Sequence, residues 1–165
     1  MQRPSKIEYY LNIAMEVSKR STCLRRRFGA VIVKDDQIIS TGYVGSPRGT
    51  PNCIDIGECP REKAKIPAGE RYELCRSVHA EMNAIINAAR AGVSVLGGTM
   101  YIYGENVKNN SIVDVKPCKM CRRVIINAGL KNVIVKTKDG YKEYSVEDWV
   151  KEDPTDFSEE YINGY

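Results

Sequence analysis

The sequence has no apolar run long enough to cross a bilayer; the longest, such as Gly29 to Val33 and Val124 to Ile126, fall far short of a membrane span. No secretory leader is expected either. Arg3 and Lys6 lie near the start, but Glu8, Asn12 and Glu16 interrupt any hydrophobic stretch there, so a cytoplasmic protein without a membrane partner is expected. Charge of a single sign is missing too. The chain carries 25 Lys and Arg against 21 Asp and Glu, a net charge of +4, which is not the broad field of a protein that binds long nucleic acid. A small anion, held by one local cluster, is not excluded. Histidine is almost absent, with one in 165 residues, whereas cysteine occurs six times. In a reducing compartment six cysteines point to metal binding or catalysis before disulfides.

What is present describes a globular chain. Leu, Ile, Val and Phe number 38 among the 165 residues, enough for collapse, and the length suits a single domain over 1–165. Apolar positions at Ile7, Leu11, Ala14 and Met15 recur at helical spacing and predict a first helix over Ser5 to Lys19, with Pro4 before it. Two β-rich runs, Phe28 to Val33 and Gln37 to Tyr43, flank Lys34-Asp35-Asp36 and predict an antiparallel hairpin. From 44 to 76 the pattern dissolves into a long loop rich in Pro and Gly that holds three of the cysteines, too long for a plain connection. Helical spacing returns over Ser77 to Ala91, with Met82, Ile85, Ile86 and Ala89 as its apolar face and Gly92 as its stop. A strand at Met100 to Tyr103, a helix over Pro117 to Ala128 and a strand at Asn132 to Lys136 follow. A short helix near Val146 to Lys151 precedes a frayed tail at 153–165. Alternating strands and helices after a hairpin predict a three-layer α/β/α domain around a mixed sheet of about five strands.

Two segments carry chemistry. His79 stands two residues before Glu81 where one helix opens, and Cys118 and Cys121 stand where another opens. At i and i+3 the two thiols share a helix face, and the positive end of the helix favours the thiolate that zinc requires. One His and two Cys leave a tetrahedral position open, the pattern of a catalytic rather than a structural zinc site. Glu81 would then serve as the proton carrier beside the metal. Cys-x-x-Cys alone also occurs in redox turns and zinc ribbons; the ordered set His79, Glu81, Pro117, Cys118, Cys121 matches the zinc deaminase pattern.

On these residues the chain resembles the cytidine and deoxycytidylate deaminase family, and most closely its deoxycytidylate branch. The likeness runs from about Ser18 to Val135 and includes Ser21-Thr22-Cys23, Gly29-Ala30-Val31, Thr41-Gly42-Tyr43, Gly45-Ser46-Pro47, His79-Ala80-Glu81, Asn83-Ala84-Ile85 and Asn127-Ala128-Gly129. It implies a cytidine-deaminase-like fold, a catalytic Zn2+, and hydrolysis of dCMP to dUMP and ammonia by attack of water on C4, with Glu81 passing the proton to N3 and the leaving amine. It further implies a homo-oligomer such as a hexamer and control by dCTP and dTTP. Two departures stand out. The family's Gly-Tyr-Asn-Gly loop reads Gly42-Tyr43-Val44-Gly45, and Glu105 to Asp114 looks like an insertion that either reshapes the mouth of the site or forms a surface excursion.

The remaining thiols, Cys23, Cys53, Cys59 and Cys75, form a candidate second, structural zinc site or are ordinary buried cysteines. Some phage relatives carry a second zinc involving positions resembling Cys23 and Cys53. Arg25, Arg26 and Arg27 precede the first strand, and strand alternation would turn Arg25 and Arg27 one way and Arg26 the other. Arg25 and Arg26, with Tyr43 and Arg48, are the candidate substrate contacts, because an arginine fork suits a monoester phosphate. Other substrates remain open: a different cytosine nucleoside or nucleotide, a purine base, or a base within nucleic acid. A zinc-binding module without chemistry is the alternative outside the enzymes.

Overall fold

Ser5 and Glu8 close a capping box at the head of α1 (Lys6–Ser18), the Ser5 side chain accepting from the Glu8 backbone while Glu8 accepts from Ser5. The S-x-x-E spacing, rather than Pro4, is what starts the helix. The structure is a computed structural model, and it describes residues 2–114 and 116–152; the predicted frayed tail at 153–165 lies outside the described residues.

β1 (Arg26–Lys34) and β2 (Gln37–Tyr43) form the expected hairpin, joined by Asp35 and Asp36 at φ of 50° and 62°, the left-handed pair of a tight two-residue turn. β3 (Thr99–Asn106) runs antiparallel to β1, and β4 (Asn132–Thr137) runs parallel to β3. A fifth strand, β5 (Gly140–Ser145), pairs antiparallel with β4 and completes the order β2-β1-β3-β4-β5. Its position was not legible from alternation, because it is an exposed edge; the Asp139-Gly140 step was the available turn signal.

The sheet is covered on both faces, as the α/β/α reading requires. Tyr10, Leu11 and Ala14 of α1 pack on Val31, Val33, Tyr101, Tyr103 and Ile134. The opposite face, with Ala30, Ile32, Met100, Ile102, Val133 and Val135, meets α4 (Ala80–Arg90), α5 (Lys119–Asn127) and α6 (Val146–Lys151). Because both faces of β1 are buried, its sequence is a continuous apolar run. Tyr101 and Tyr103 are therefore sheet residues under α1.

The long loop is more ordered than its composition suggested. Within it lie two single-turn helices, α2 (Cys53–Ile56) and α3 (Pro60–Lys63), and a 3-10 turn at Tyr72–Leu74. Gly45 and Val78 exchange backbone hydrogen bonds of 3.2 and 2.8 Å, which pin the residue before His79 to the end of the hairpin.

α4 buries Ala80, Glu81, Ala84 and Ala88; of the predicted face of Met82, Ile85, Ile86 and Ala89, Ile85 packs partly buried against the core, while Ile86 and Ala89 are exposed. The cause is close approach. A Cβ placed on Gly42 would sit 2.2 Å from the Ala84 nitrogen and 2.5 Å from the Ala80 carbonyl oxygen, so only small residues fit between β2 and α4. Ser40 donates to the Ala84 carbonyl at 2.5 Å, and Asn87 to the Thr41 carbonyl at 2.7 Å. Gly42→Ala should therefore destabilise the fold by about 3 kcal/mol, since the obstacle is backbone. Urea denaturation checks this, and an unchanged midpoint would contradict the packing.

Candidate active site

His79 is the N-cap residue of α4 and Cys118 that of α5. The Cys121 backbone N–H donates to the Cys118 sulfur at 3.4 Å, so this thiol caps its own helix and lies at the positive end of the macrodipole. Pro117 precedes the cap instead of occupying the first helical turn, and it is fully buried. Arg122 donates to the Pro117 carbonyl at 3.0 Å and lies 5.7 Å over the buried Trp149 ring, so α6 clamps the loop that carries the thiols.

α4 and α5 bring their N-termini together. His79 Nδ1 lies 3.6 Å from the Cys118 sulfur and 3.3 Å from that of Cys121, and the three candidate ligand atoms all fall within 4.8 Å of one another. Tetrahedral bonds of about 2.3 Å to sulfur and 2.0–2.1 Å to nitrogen would set N···S separations of about 3.6 Å. The donor set fits zinc in distance, number and chemistry. Among the described residues it is the only group of three or more such side chains so close together.

Glu81 stands beside this set, buried to 7% exposure. Burial raises its carboxyl above the ordinary value, opposed by the positive field of His79. Cys118 is held well below the usual thiol value, chiefly because the Cys121 thiol donates to it, with His79 adding to the effect. Cys121 is pushed up by that same bond and by burial. His79 is raised by its bond to Cys118 and by the Glu81 charge, against the opposing effect of burial, which is the largest single influence.

His79, Glu81 and Cys118 form the floor of a cavity of about 210 Å³ with Arg25, Arg26, Arg61 and Lys116, and the acid Asp114, around it. Sequence similarity names the family of such a site. The model of the cytidine and deoxycytidylate deaminase zinc-binding region matches residues 4–137. The chain belongs to that family. Within it, the deoxycytidylate deaminase of Schizosaccharomyces pombe is 37% identical over 137 residues, covering 82% of this chain but 38% of the yeast protein. That of Mycobacterium phage D29 is 34% identical over 139 residues, covering 81% of this chain and 96% of its own length. Among solved structures, the dCMP deaminase of cyanophage S-TIM5, determined in complex with dCMP and dUMP, superposes with a TM-score of 0.58 at 26% identity, over 82% of this chain and 83% of that one. The cytidine deaminase of Mycobacterium tuberculosis shares the fold with a TM-score of 0.53 at 15% identity, over 94% of this chain and 99% of that one. This deaminase chain is an enzyme of a zinc-binding family, and among the described residues no helix is long and apolar enough to cross a membrane.

The other sequence-predicted residues divide. Arg25 and Arg26 both line the cavity, and Arg27 turns away to pair with Glu105 at 2.9 Å. Strand alternation predicted Arg25 and Arg27 on one side; it fails because β1 begins only at Arg26. Tyr43 and Arg48 do not face the zinc site. They line a second cavity with Arg20 and Arg90, on the outer side of the hairpin end, while Val44 between them turns into the first. The hairpin end divides its side chains between the two.

Cys53 and Cys75 both lie within the electrostatic reach of Cys23, and Cys53 within that of Cys59, but the four thiols do not close to ligand distance. Cys53 instead faces the Ser77 hydroxyl at 3.9 Å. The segment Glu105 to Asp114 is no mere surface excursion. Glu105 bridges back to Ile112, and Val113 and Asp114 reach the cavity wall.

Sequence reasoning missed Arg61, Tyr72 and Lys116 in that wall. It also missed Asn83, whose amide donates to the carbonyls of Tyr43 at 2.8 Å and Val78 at 3.3 Å and so locks the hairpin end to α4. The N-A-I spacing after His79-Ala80-Glu81 was the signal for Asn83; the aperiodic long loop offered none for Arg61 or Tyr72.

Proposed function

We propose that the chain is a zinc-dependent deoxycytidylate deaminase that hydrolyses dCMP to dUMP and ammonia. One observation carries this reading: His79, Cys118 and Cys121 converge beside a buried carboxylate, Glu81, at the floor of a cavity with an arginine wall. His79, Cys118 and Cys121 would hold the ion, which when bound acts as a Lewis acid and acidifies water. Glu81 accepts a proton from the attacking water and gives it to N3 of the ring; it then takes the proton of the new C4 hydroxyl and passes it to the amine, so that C4 becomes a carbonyl as ammonia leaves. Phe28 and Val44 supply apolar lining beside the site. Arg25 and Arg26 supply cationic donors for a monoester phosphate at the mouth.

The test is ammonia release from dCMP, deoxycytidine and cytidine, with and without dCTP and dTTP. Turnover of dCMP should exceed that of deoxycytidine by at least about 100-fold in kcat/KM, the effect of losing charge-assisted bonds to the phosphate. Equal rates would overturn the phosphate assignment.

The second cavity supports a further part of the proposal. Its arginines Arg20, Arg48 and Arg90 accompany two buried hydroxyls without partners among the described residues, Thr22 Oγ1 and Ser46 Oγ. Unpaired buried hydroxyls beside cations suit a nucleotide effector, and dCTP and dTTP are the proposed occupants. Assembly of several copies and a cytoplasmic location complete the reading. Cys23, Cys53, Cys59 and Cys75 stay a candidate second zinc site if their side chains close on the ion. Elemental analysis should then give two zinc ions per chain, and one would discard that site.

A further inference from the structure

The fourth cation of the cavity wall has a feature that loop stapling leaves unexplained. Arg61, on α3, is only 5% exposed, and among the described residues it makes no ion pair. Two neighbours in the wall differ, Arg25 pairing with Glu62 at 3.2 Å and Lys116 approaching Glu152 at 3.8 Å, while Arg26 shares the lack of an ion pair among the described residues. Both protein hydrogen bonds of Arg61 leave from one nitrogen, Nη2, to the carbonyls of Pro67 (2.8 Å) and Glu70. Nε is shielded from water and has no partner among the described residues. The guanidinium lies 4.8 Å over the ring of Tyr72, and that ring meets His79 edge-on at 5.0 Å and 87°.

A buried cation with no acid at ion-pair distance, and with one N–H unsatisfied, is disfavoured unless an anion arrives to complete it. The Nη2 bonds explain how Arg61 holds the loop that carries Ala68 and Gly69 into the wall. They leave Nη1, like Nε, without a hydrogen-bond partner among the described residues. An oxyanion with several acceptor oxygens matches that vacant edge of the planar fork, and a lysine point charge would match it less well.

We propose that Arg61 is a specificity-determining residue that binds the monoester phosphate of the substrate, together with Arg26 of the same wall. This rests on the nucleotide reading above and adds to it a residue from the long loop. Through Tyr72 the bound phosphate is tied to the ring of His79, so phosphate recognition and the floor of the site share one stack of side chains.

The experiment measures kcat and KM for dCMP and for deoxycytidine in wild type, Arg61→Met and Arg61→Lys. Loss of a charged hydrogen-bond donor should lower kcat/KM for dCMP by about 10- to 100-fold in Arg61→Met, chiefly through KM. The much smaller value for deoxycytidine should fall by far less, since that substrate brings no phosphate to Arg61. Arg61→Lys should fall between, because it keeps the charge and loses the fork. Inorganic phosphate should compete with dCMP in wild type and lose that competition in Arg61→Met. A parallel loss on both substrates with a lowered melting temperature would make Arg61 a loop staple and overturn the proposal; if Arg61→Met does not fold, Arg61→Lys decides by the same split. An unchanged dCMP arm would also overturn it while leaving the nucleotide reading intact. A wild type that treats both substrates alike would overturn both together.

Discussion

Glu81→Gln should reduce deamination by at least about 10³-fold while zinc stays at the wild-type ratio per chain. The substitution keeps the size of the side chain and a hydrogen-bonding head, and it removes only the capacity to take up and return a proton. Glu81 lies in the first turn of α4, two residues beyond His79, on the face that packs towards the sheet. It is placed there by the Gly42 contact, which presses the alanine face of α4 against β2 and turns Glu81 inward with Ala80 and Ala84. Because His79, Cys118 and Cys121 already form a matched set of ligand atoms without it, removing the carboxylate should not release metal. Activity assays paired with elemental analysis check this. Zinc loss in Glu81→Gln would make Glu81 a ligand, and retained activity would remove it from the proton path.

The second large effect is expected at the metal set. Cys118→Ala should lower the zinc content by one ion per chain and abolish activity. It removes one of three ligands, and it also takes away the side chain that caps α5 by accepting from the Cys121 N–H at 3.4 Å. Losing a helix cap costs about 1 kcal/mol, and losing the stabilisation of a tightly bound ion adds to this. Wild type stripped with a chelator should melt lower and regain its melting temperature and activity when zinc returns; Cys118→Ala should regain neither. Full zinc content in the variant would locate the ion elsewhere in the chain.

How far these residues could be read in advance depended on how local their signals are. His79-x-Glu81 and Pro117-Cys118-x-x-Cys121 are short patterns at helix starts, where one turn of helix fixes which side chains share a face. Their role in a common site was supported by order and spacing, but the approach of His79 to Cys118, 39 residues later, to 3.6 Å is a product of two helices docked on one sheet face. The hairpin was equally local, with two apolar runs and a two-residue turn at Asp35 and Asp36.

Other features had no local signal. The buried face of α4 was misread because large apolar residues normally mark it, whereas the close approach at Gly42 admits only alanine there. The edge strand β5 is too exposed to alternate. Arg25 and Arg26 face one cavity because the strand begins between them, and a shift of one residue in that boundary would reverse the alternation. Tyr43 and Val44 are adjacent in sequence yet look into different cavities.

By itself, the sequence determined the α/β class, the helix-start placement of the metal-ligand residues and the acid beside them, since each follows from periodicity or from spacing within one turn. Tertiary structure alone decided which cations face the zinc site, that Tyr43 and Arg48 belong to a second cavity, and that Arg61 of an aperiodic loop is buried against Tyr72 with no ion pair among the described residues. The physical reason is range. Backbone geometry correlates residues three or four apart, but a cavity wall is assembled from segments tens of residues apart, and only the packing of the sheet and its helices sets their distances.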